Sequence, residues 1–192
     1  MRRLIWFVVV IGLFIAVDSA ARSYASNMIE GRLAGVLDTD EQPQVSIGGF
    51  PFLASAVDGE LEIISISAER PGWGSGPIEL SDVTLTLQQV KFSPGEVLRN
   101  ELRKVDVGSA RGTARIGTGD LSAALQRLAP PGFDAVGPES GELPIEDNRL
   151  QIGPLTLPLP TPLQGMNFER AELIDGSVEL EFSLSQTTFL VG

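Results

Sequence analysis

The sequence predicts an α+β fold: a curved antiparallel β-sheet wrapped around a long N-terminal amphipathic helix, with two short helices. Three observations support this prediction. Apolar residues recur at helical spacing between residues 20 and 37. After a polar break at residues 38–43, strand-like alternation of apolar and polar residues dominates. A sheet with one apolar face needs a cover, and the N-terminal segment is the only long helix that the pattern predicts.

Several short elements follow the helix. Strand signals predict strands at Leu61–Ala68, at Ile78–Phe92, where apolar and polar residues alternate, and at Lys104–Ile116. Leu150–Leu159 alternates in part and is predicted to be an edge strand, because its prolines remove backbone donors. Phe168–Ile174 and Val178–Leu184 flank the turn Asp175-Gly176 and predict a hairpin. Ser93, Pro94 and Glu96 suit a helix start, so we expect a short helix to about Arg103, and a second one over Asp120–Leu128.

Composition limits the chemistry that the chain can perform. The 192 residues, 43% of them hydrophobic, suffice for one domain with a sizeable core. The chain has no histidine and no cysteine, which excludes Ser-His-Asp and Cys-His catalysis and imidazole or thiolate metal sites. Its acidic residues fall in turn and solvent-face patterns typical of surface charge. We therefore expect a non-enzymatic protein without metal or cofactor. The net charge of −11 argues against nucleic acid as a partner.

The N-terminus carries an export signal. Arg2 and Arg3 precede Leu4–Val17, an uncharged run that would span roughly 21 Å as a helix, short of the ~30 Å hydrocarbon core. Small residues at Ser19-Ala20-Ala21 suit signal peptidase, whereas helical periodicity past Asp18 favours an uncleaved anchor. Residues 1–19 are thus predicted to be a signal peptide or a membrane anchor, and residues 20–192 a single domain. In both cases we expect the domain on the extracytoplasmic (periplasmic) side of the membrane.

A Gly-Gly-Phe-Pro-Phe-Leu segment is the most distinctive motif. Gly48 and Gly49 allow a sharp bend, and Pro51 then fixes a turn between two aromatic rings. Exposed rings on a rigid turn are unfavourable in water, so they must face a core, a lipid or a partner. Phe50, Pro51, Phe52 and Leu53 are therefore candidates for the mouth of an acyl-chain cavity. The alternative is that they plug the end of the helix–sheet core.

Two strands carry regular apolar rows that would face the interior. These rows are Val83, Leu85 and Leu87, and Val178, Leu180, Phe182 and Leu184. They are candidate lipid contacts or ordinary core. Trp73, in a loop rich in glycine and proline, is a candidate for the membrane–water interface or packs back onto the domain.

One segment is locally basic. Between residues 99 and 115, five basic and two acidic residues give a net charge of +3. The candidates for binding a phosphate headgroup are Arg99, Arg103, Lys104, Arg111 and Arg115. The alternative for Arg103 and Lys104 is that they stabilise the end of a short helix.

The order of these motifs resembles the LmeA-like phospholipid-binding proteins of actinobacteria over roughly Leu4–Leu128. The resemblance is carried by Val45–Leu53 (VSIGGFPFL) with Gly59, and more weakly by Gly112–Ile116 (GTARI) with Asp120-Leu121. It implies a tubular lipid-binding (TULIP-like) fold in the cell envelope. It also implies binding of acidic phospholipid and a link to lipomannan maturation, but no catalytic residues.

We therefore expect an extracytoplasmic, membrane-associated phospholipid-binding protein that supports lipoglycan biogenesis. Its expected partners are acidic phospholipid, the cytoplasmic membrane and envelope glycolipid-synthesis enzymes. The alternative is a non-enzymatic envelope adaptor that binds a partner protein through a sheet edge. An apolar cavity would distinguish a lipid-binding protein from an adaptor.

Overall fold

The computed structural model describes residues 2–37, 42–71, 78–99, 101, 103–128, 140–161, 163, 165–185 and 188–190. In the N-terminal helix, side chains are described for residues 11–31. Trp73 and the loop around it lie outside the described residues.

The N-terminal segment is one continuous helix, α1 (Arg2–Leu37), which joins the apolar run to the amphipathic stretch. Ala21, Ala25 and Ile29, four residues apart, pack against the core. Tyr24 and Met28 are exposed, so the buried stripe is narrower than the periodicity predicts. The described part of the chain contains no helix that is long and apolar enough to cross a bilayer, and the transmembrane prediction therefore has no support here.

The remaining elements alternate between strands and short helices. In chain order they are β1 (Gln44–Gly48), α2 (Phe52–Asp58), β2 (Glu60–Ala68), β3 (Ser81–Phe92), α3 (Pro94–Leu98), β4 (Lys104–Ile116), α4 (Thr118–Leu128), β5 (Gly141–Leu143), β6 (Ile145–Glu146), β7 (Arg149–Ile152), β8 (Leu155–Pro158), β9 (Met166–Ile174), β10 (Ser177–Leu184) and β11 (Thr188–Leu190). The large sheet has the order β1-β2-β3-β4-β10-β9-β5, and β11 also pairs with β4. All its pairings are antiparallel. The predicted α+β class, with a long N-terminal helix and an antiparallel sheet, is confirmed.

Local predictions succeed where turn chemistry is explicit. Strand β4 has its predicted bounds, and β9 and β10 form the predicted hairpin. Asp175 and Gly176 adopt the left-handed conformation that its two-residue turn requires, with φ of 50° and 78°.

Other local predictions are wrong. The single edge strand Leu150–Leu159 is two strands, β7 and β8, that turn at Gly153 and form a separate small sheet with β6. Helix α3 ends at Leu98 rather than near Arg103, because the chain already turns toward β4; there the Glu96 carboxylate accepts the Arg103 amide at 3.3 Å. The sequence does not predict helix α2, because its seven residues, nearly all apolar or small, show no regular spacing of apolar and polar side chains.

Four strands and two short helices meet at one end of the large sheet. Strand β1 ends there at Gly48, β2 begins opposite the end of β3, and β4 begins beside them. Helices α2 and α3 contact each other at the same end. We call this the α2 end of the sheet.

Candidate functional site

The Phe-Pro-Phe segment is the turn that carries the chain from β1 into α2. Gly49 has φ of 96°, and helix α2 stops at Gly59, which has φ of 75° and accepts a hydrogen bond from the Phe92 amide at 2.9 Å. A side chain at Gly59 would collide with the Phe92 carbonyl and the Pro94 ring. Two positions that require glycine therefore determine where α2 lies.

The two aromatic rings of this turn have different environments. Phe52 is buried at 6% exposure and closes the end of the core, whereas Phe50 is 62% exposed. Pro51 and Leu53 are half-buried between them. Phe52 thus plugs the end of the core, whereas Phe50, Pro51 and Leu53 remain candidates for the mouth of an acyl-chain cavity.

Helix α1 runs antiparallel to β1 and makes three polar contacts with β1 and with the turn that follows it. The Glu30 carboxylate accepts the Val45 amide at 2.9 Å, and Arg22 donates to the Gly49 carbonyl. The Asp18 carboxylate accepts the Leu53 amide at 2.8 Å. The Glu30 contact covers the edge strand β1, whereas the Asp18 contact fixes α2 against α1.

Asp18 is the one buried carboxylate among the described residues, at 1% exposure. Arg22, four residues later, lies 3.4 Å from it. Burial by itself raises the pKa of Asp18, but hydrogen bonds from the Leu53 and Phe52 amides, together with Arg22, outweigh burial and hold the pKa below its ordinary value. Asp18 is therefore an ionised group inside the fold.

The two predicted apolar rows differ in burial. All four residues of the β10 row are buried, at 5% exposure or less. On β3, Val83 is buried, but Leu85 and Leu87 are only half-buried. Ile66, directly opposite Leu85 on β2, is half-buried too. We call Ile66, Leu85 and Leu87 the inner strip; it is an accessible apolar surface in the middle of the sheet's packed face.

The packed core lies beside the inner strip. Phe182 lies over Gly112, where a Cβ atom would collide with the Phe182 ring, and Phe168 meets the same ring edge-on at 5.8 Å between centroids. Gly112 is the register partner of both Leu85 and Phe182. The aromatic pair thus forms the wall next to the strip.

The five basic candidates do not form one site. They are spread along β4 and the segment before it, and most are neutralised: Arg99 pairs with Glu101 at 3.2 Å, and Lys104 with Asp106 at 2.9 Å. Arg115 pairs with Glu179 at 2.9 Å and with Asp82 at 3.5 Å. Arg103 and Arg111 are exposed, and no described carboxylate lies within ion-pair distance of either.

Two pockets on the outer surface of the described residues are lined mainly by polar and charged residues. One, of about 190 Å³, contains Arg115 and Arg170 among the carboxylates that neutralise them; the other, of about 270 Å³, lies near Gln44 and Thr84. Neither offers an apolar lining for an acyl chain. Among the described residues, no three acidic side chains converge as a metal site would require.

The sequence does not predict two residues of the candidate site: Ile66 of the inner strip and Asp18, which contacts α2. Ile66 lies in the strand EIISISA, where adjacent isoleucines hide which face is inside. The sequence gives Asp18 no role beyond its place after the apolar run, because the Leu53 amide that it binds lies 35 residues away. Only the tertiary structure brings these groups together.

The described part of the chain thus combines a large antiparallel sheet that carries a partly open apolar strip with an apolar turn at one end of that sheet, and both surfaces suit an apolar ligand. The chain belongs to the LmeA-like phospholipid-binding family, whose model matches residues 16–189. The match confirms the resemblance and corrects its extent, since it starts after most of the apolar run and continues through the C-terminal third. Membership in this family supports lipid binding.

No curated protein and no solved structure matches the chain at a significant level.

Proposed function

We propose that this protein is a non-enzymatic phospholipid-binding protein at the extracytoplasmic face of the cytoplasmic membrane, and that an acyl chain lies along the inner strip. One observation carries the proposal: Leu85 and Leu87 stay partly exposed, although the rows of β4 and β10 on the same sheet face are packed. Each methylene that leaves water contributes about 0.8 kcal/mol, so a chain laid over these leucines stabilises both partners.

The path of the acyl chain follows from the strand direction. Strand β3 runs toward the α2 end, so Leu87 lies nearer that end than Leu85. Half-buried Leu53 and exposed Phe50 lie at the end itself. In this proposal the chain enters past Phe50 and Leu53 and continues over Leu87 to Leu85.

Exposed apolar groups at the same end support membrane association. Val57 on α2 is 75% exposed, and Val97 on α3 is also exposed. All described side chains of residues 11–17 of α1 are exposed and apolar; we call this segment the apolar arm. The antiparallel contacts between α1 and β1 direct the arm beyond the α2 end. The arm and the two valines then face the bilayer, and lipid enters from the membrane side.

Arg103 is the favoured headgroup contact. It lies at the α2 end, just before β4, with an exposed guanidinium that no described carboxylate neutralises. A guanidinium binds phosphate through two parallel hydrogen bonds, and its unneutralised positive charge favours a headgroup with a net negative charge. From the family membership we further propose that the bound lipid serves lipoglycan (lipomannan) biogenesis, with envelope glycolipid-synthesis enzymes as partners.

The adaptor alternative finds less support. It requires a free sheet edge, but Glu30 of α1 binds an amide of edge strand β1, and the other edge, β5, is three residues long. Short or covered edges disfavour strand addition.

Native mass spectrometry of the full chain with dioleoyl phosphatidylglycerol tests the proposal. We expect a lipid-bound species in the wild type that is lost in Leu85→Asp. Thr86→Asp is the matched control, since Thr86 lies on the same strand with its side chain on the opposite face. Equal lipid occupancy in both variants, with both folded by circular dichroism, would contradict the proposal; so would a wild type that never binds lipid.

A further inference from the structure

Helix α2 lacks a cap of its own. Its N-cap residue is Pro51, whose side chain offers no hydrogen-bond acceptor, so the first amides of α2 need one from elsewhere. Asp18 supplies it from α1, accepting the amides of Leu53 and Phe52. A carboxylate is also favoured at a helix N-terminus by the helix dipole.

The same part of α1 also contacts the residue that precedes the Phe50-Pro51 turn. Arg22 donates to the carbonyl of Gly49, just before Phe50-Pro51, while Asp18 binds the amide of Leu53, just after it. The two side chains also contact each other at 3.4 Å. One helical turn of α1 therefore fixes both ends of the segment that the proposed function places at the lipid entrance.

Asp18 also marks where α1 joins the domain. Every described side chain before it, from residue 11 to 17, is exposed, whereas Asp18 is 1% exposed. The family match begins at residue 16 and therefore includes it.

We infer that Asp18 is a positioning residue of the lipid entrance: it acts through α2 to place Leu53, and the functional protein retains α1 at least from Asp18 onward. This inference rests on the proposed function for its lipid role. Removal of the segment up to Ser19 or Ala20 would leave the α2 amides without their acceptor and would free the α2 side of the Phe50-Pro51 turn, while Arg22 would still bind the Gly49 carbonyl.

Hydrogen exchange and lipid binding on Asp18→Ala in the full chain test the positioning role. We expect exchange of the Leu53 amide to become about five- to tenfold faster, as for loss of a helix cap, while the Leu180 amide in the core is unchanged. Occupancy by dioleoyl phosphatidylglycerol should fall in parallel. Asp18→Asn should be intermediate, because its amide oxygen still accepts a hydrogen bond but carries no charge.

Glu30→Ala is the matched control, since it removes another carboxylate of α1 that binds a backbone amide. It should speed exchange at Val45 alone and leave lipid occupancy unchanged. Unchanged Leu53 exchange in Asp18→Ala, or faster exchange with full lipid occupancy, would overturn the positioning role while the proposed function stands. A wild type that binds no phospholipid overturns the proposed function and the lipid role of Asp18 together, and the exchange data still show whether Asp18 caps α2.

The intact mass of the protein from its native host tests retention of α1. We expect a mature N-terminus at or before Asp18. A mature chain that starts after Ser19 or Ala20 would overturn this part of the inference, because the folded protein would then lack the carboxylate.

Discussion

Strands β3 and β10 carry similar alternating apolar rows but lie in different environments. On β10, Val178, Leu180, Phe182 and Leu184 are all buried. On β3, Val83 and Val90 are buried, whereas Leu85 and Leu87 between them are only partly buried. Both rows lie on one sheet, and β10 and β3 flank the same central strand, β4. The difference shows that alternation determines which face of a strand is apolar, whereas the elements packed above that face determine whether it is core or accessible surface.

Phe182→Ala should cause the largest loss of stability. The ring is 2% exposed and packs over Gly112 and against Phe168, so its removal leaves a cavity. We expect the free energy of unfolding to fall by about 3–5 kcal/mol, measured by urea denaturation. A loss below that of Leu85→Ala would contradict the assignment of the β10 row to the core.

Gly112→Ala tests the wall between the two rows. A Cβ atom there would collide with the Phe182 ring and the Thr84 carbonyl, and the backbone cannot move away easily. Destabilisation of about 1–3 kcal/mol is expected from overpacking. Gly119→Ala is the control, because open space surrounds that helical glycine and alanine is the better helix former. If both variants were equally stable, Phe182 would not lie over Gly112.

Leu85→Ala should separate stability from binding. Because the side chain is only half-buried, the free energy of unfolding should fall by about 1 kcal/mol. Lipid occupancy should nevertheless drop, since the inner strip loses its central contact. Leu180→Ala should do the reverse, with a loss of about 2–5 kcal/mol in stability and lipid binding retained in the folded fraction. Stability and binding that change together in both variants would remove the distinction between the rows.

The smallest effect is expected at acid pH. The pKa of Asp18 lies below its ordinary value of 3.8 in the folded protein, so its carboxylate stabilises the fold fully above that value. The contribution is lost as the pH falls through the lowered folded pKa. The difference in unfolding free energy between wild type and Asp18→Asn should therefore be constant from about pH 7 to 5 and shrink below about pH 4.

Asp106 also contributes to the loss of stability at acid pH. Hydrogen bonds from Lys104 and Thr188 also lower the pKa of Asp106, so Asp18→Asn should keep part of the acid dependence. A difference between the two proteins that grows as the pH falls would contradict an ionised, hydrogen-bonded Asp18.

Local chemistry made much of the fold predictable from the sequence. The Asp175-Gly176 turn determines the register of the β9–β10 hairpin as far as the irregularity between Glu181 and Phe182, and the bounds of β4 follow from its strand signals. The contact of Asp18 with Leu53 could not be predicted, because it joins two segments whose meeting depends on the whole fold. The partial exposure of Leu85 could not be predicted either, because Leu85 and Leu180 lie in similar alternating patterns but differ in how completely other elements bury them.

The most direct test of the difference between the rows is methyl NMR of the full chain, titrated with a short-chain phosphatidylglycerol below its micelle concentration. We expect the methyl resonances of Leu85, Leu87 and Ile66 to shift together with increasing lipid, while those of Leu180, Leu184 and Val178 do not shift. Shifts confined to the β10 residues, or none in either row, would contradict the inner strip as the lipid-binding surface.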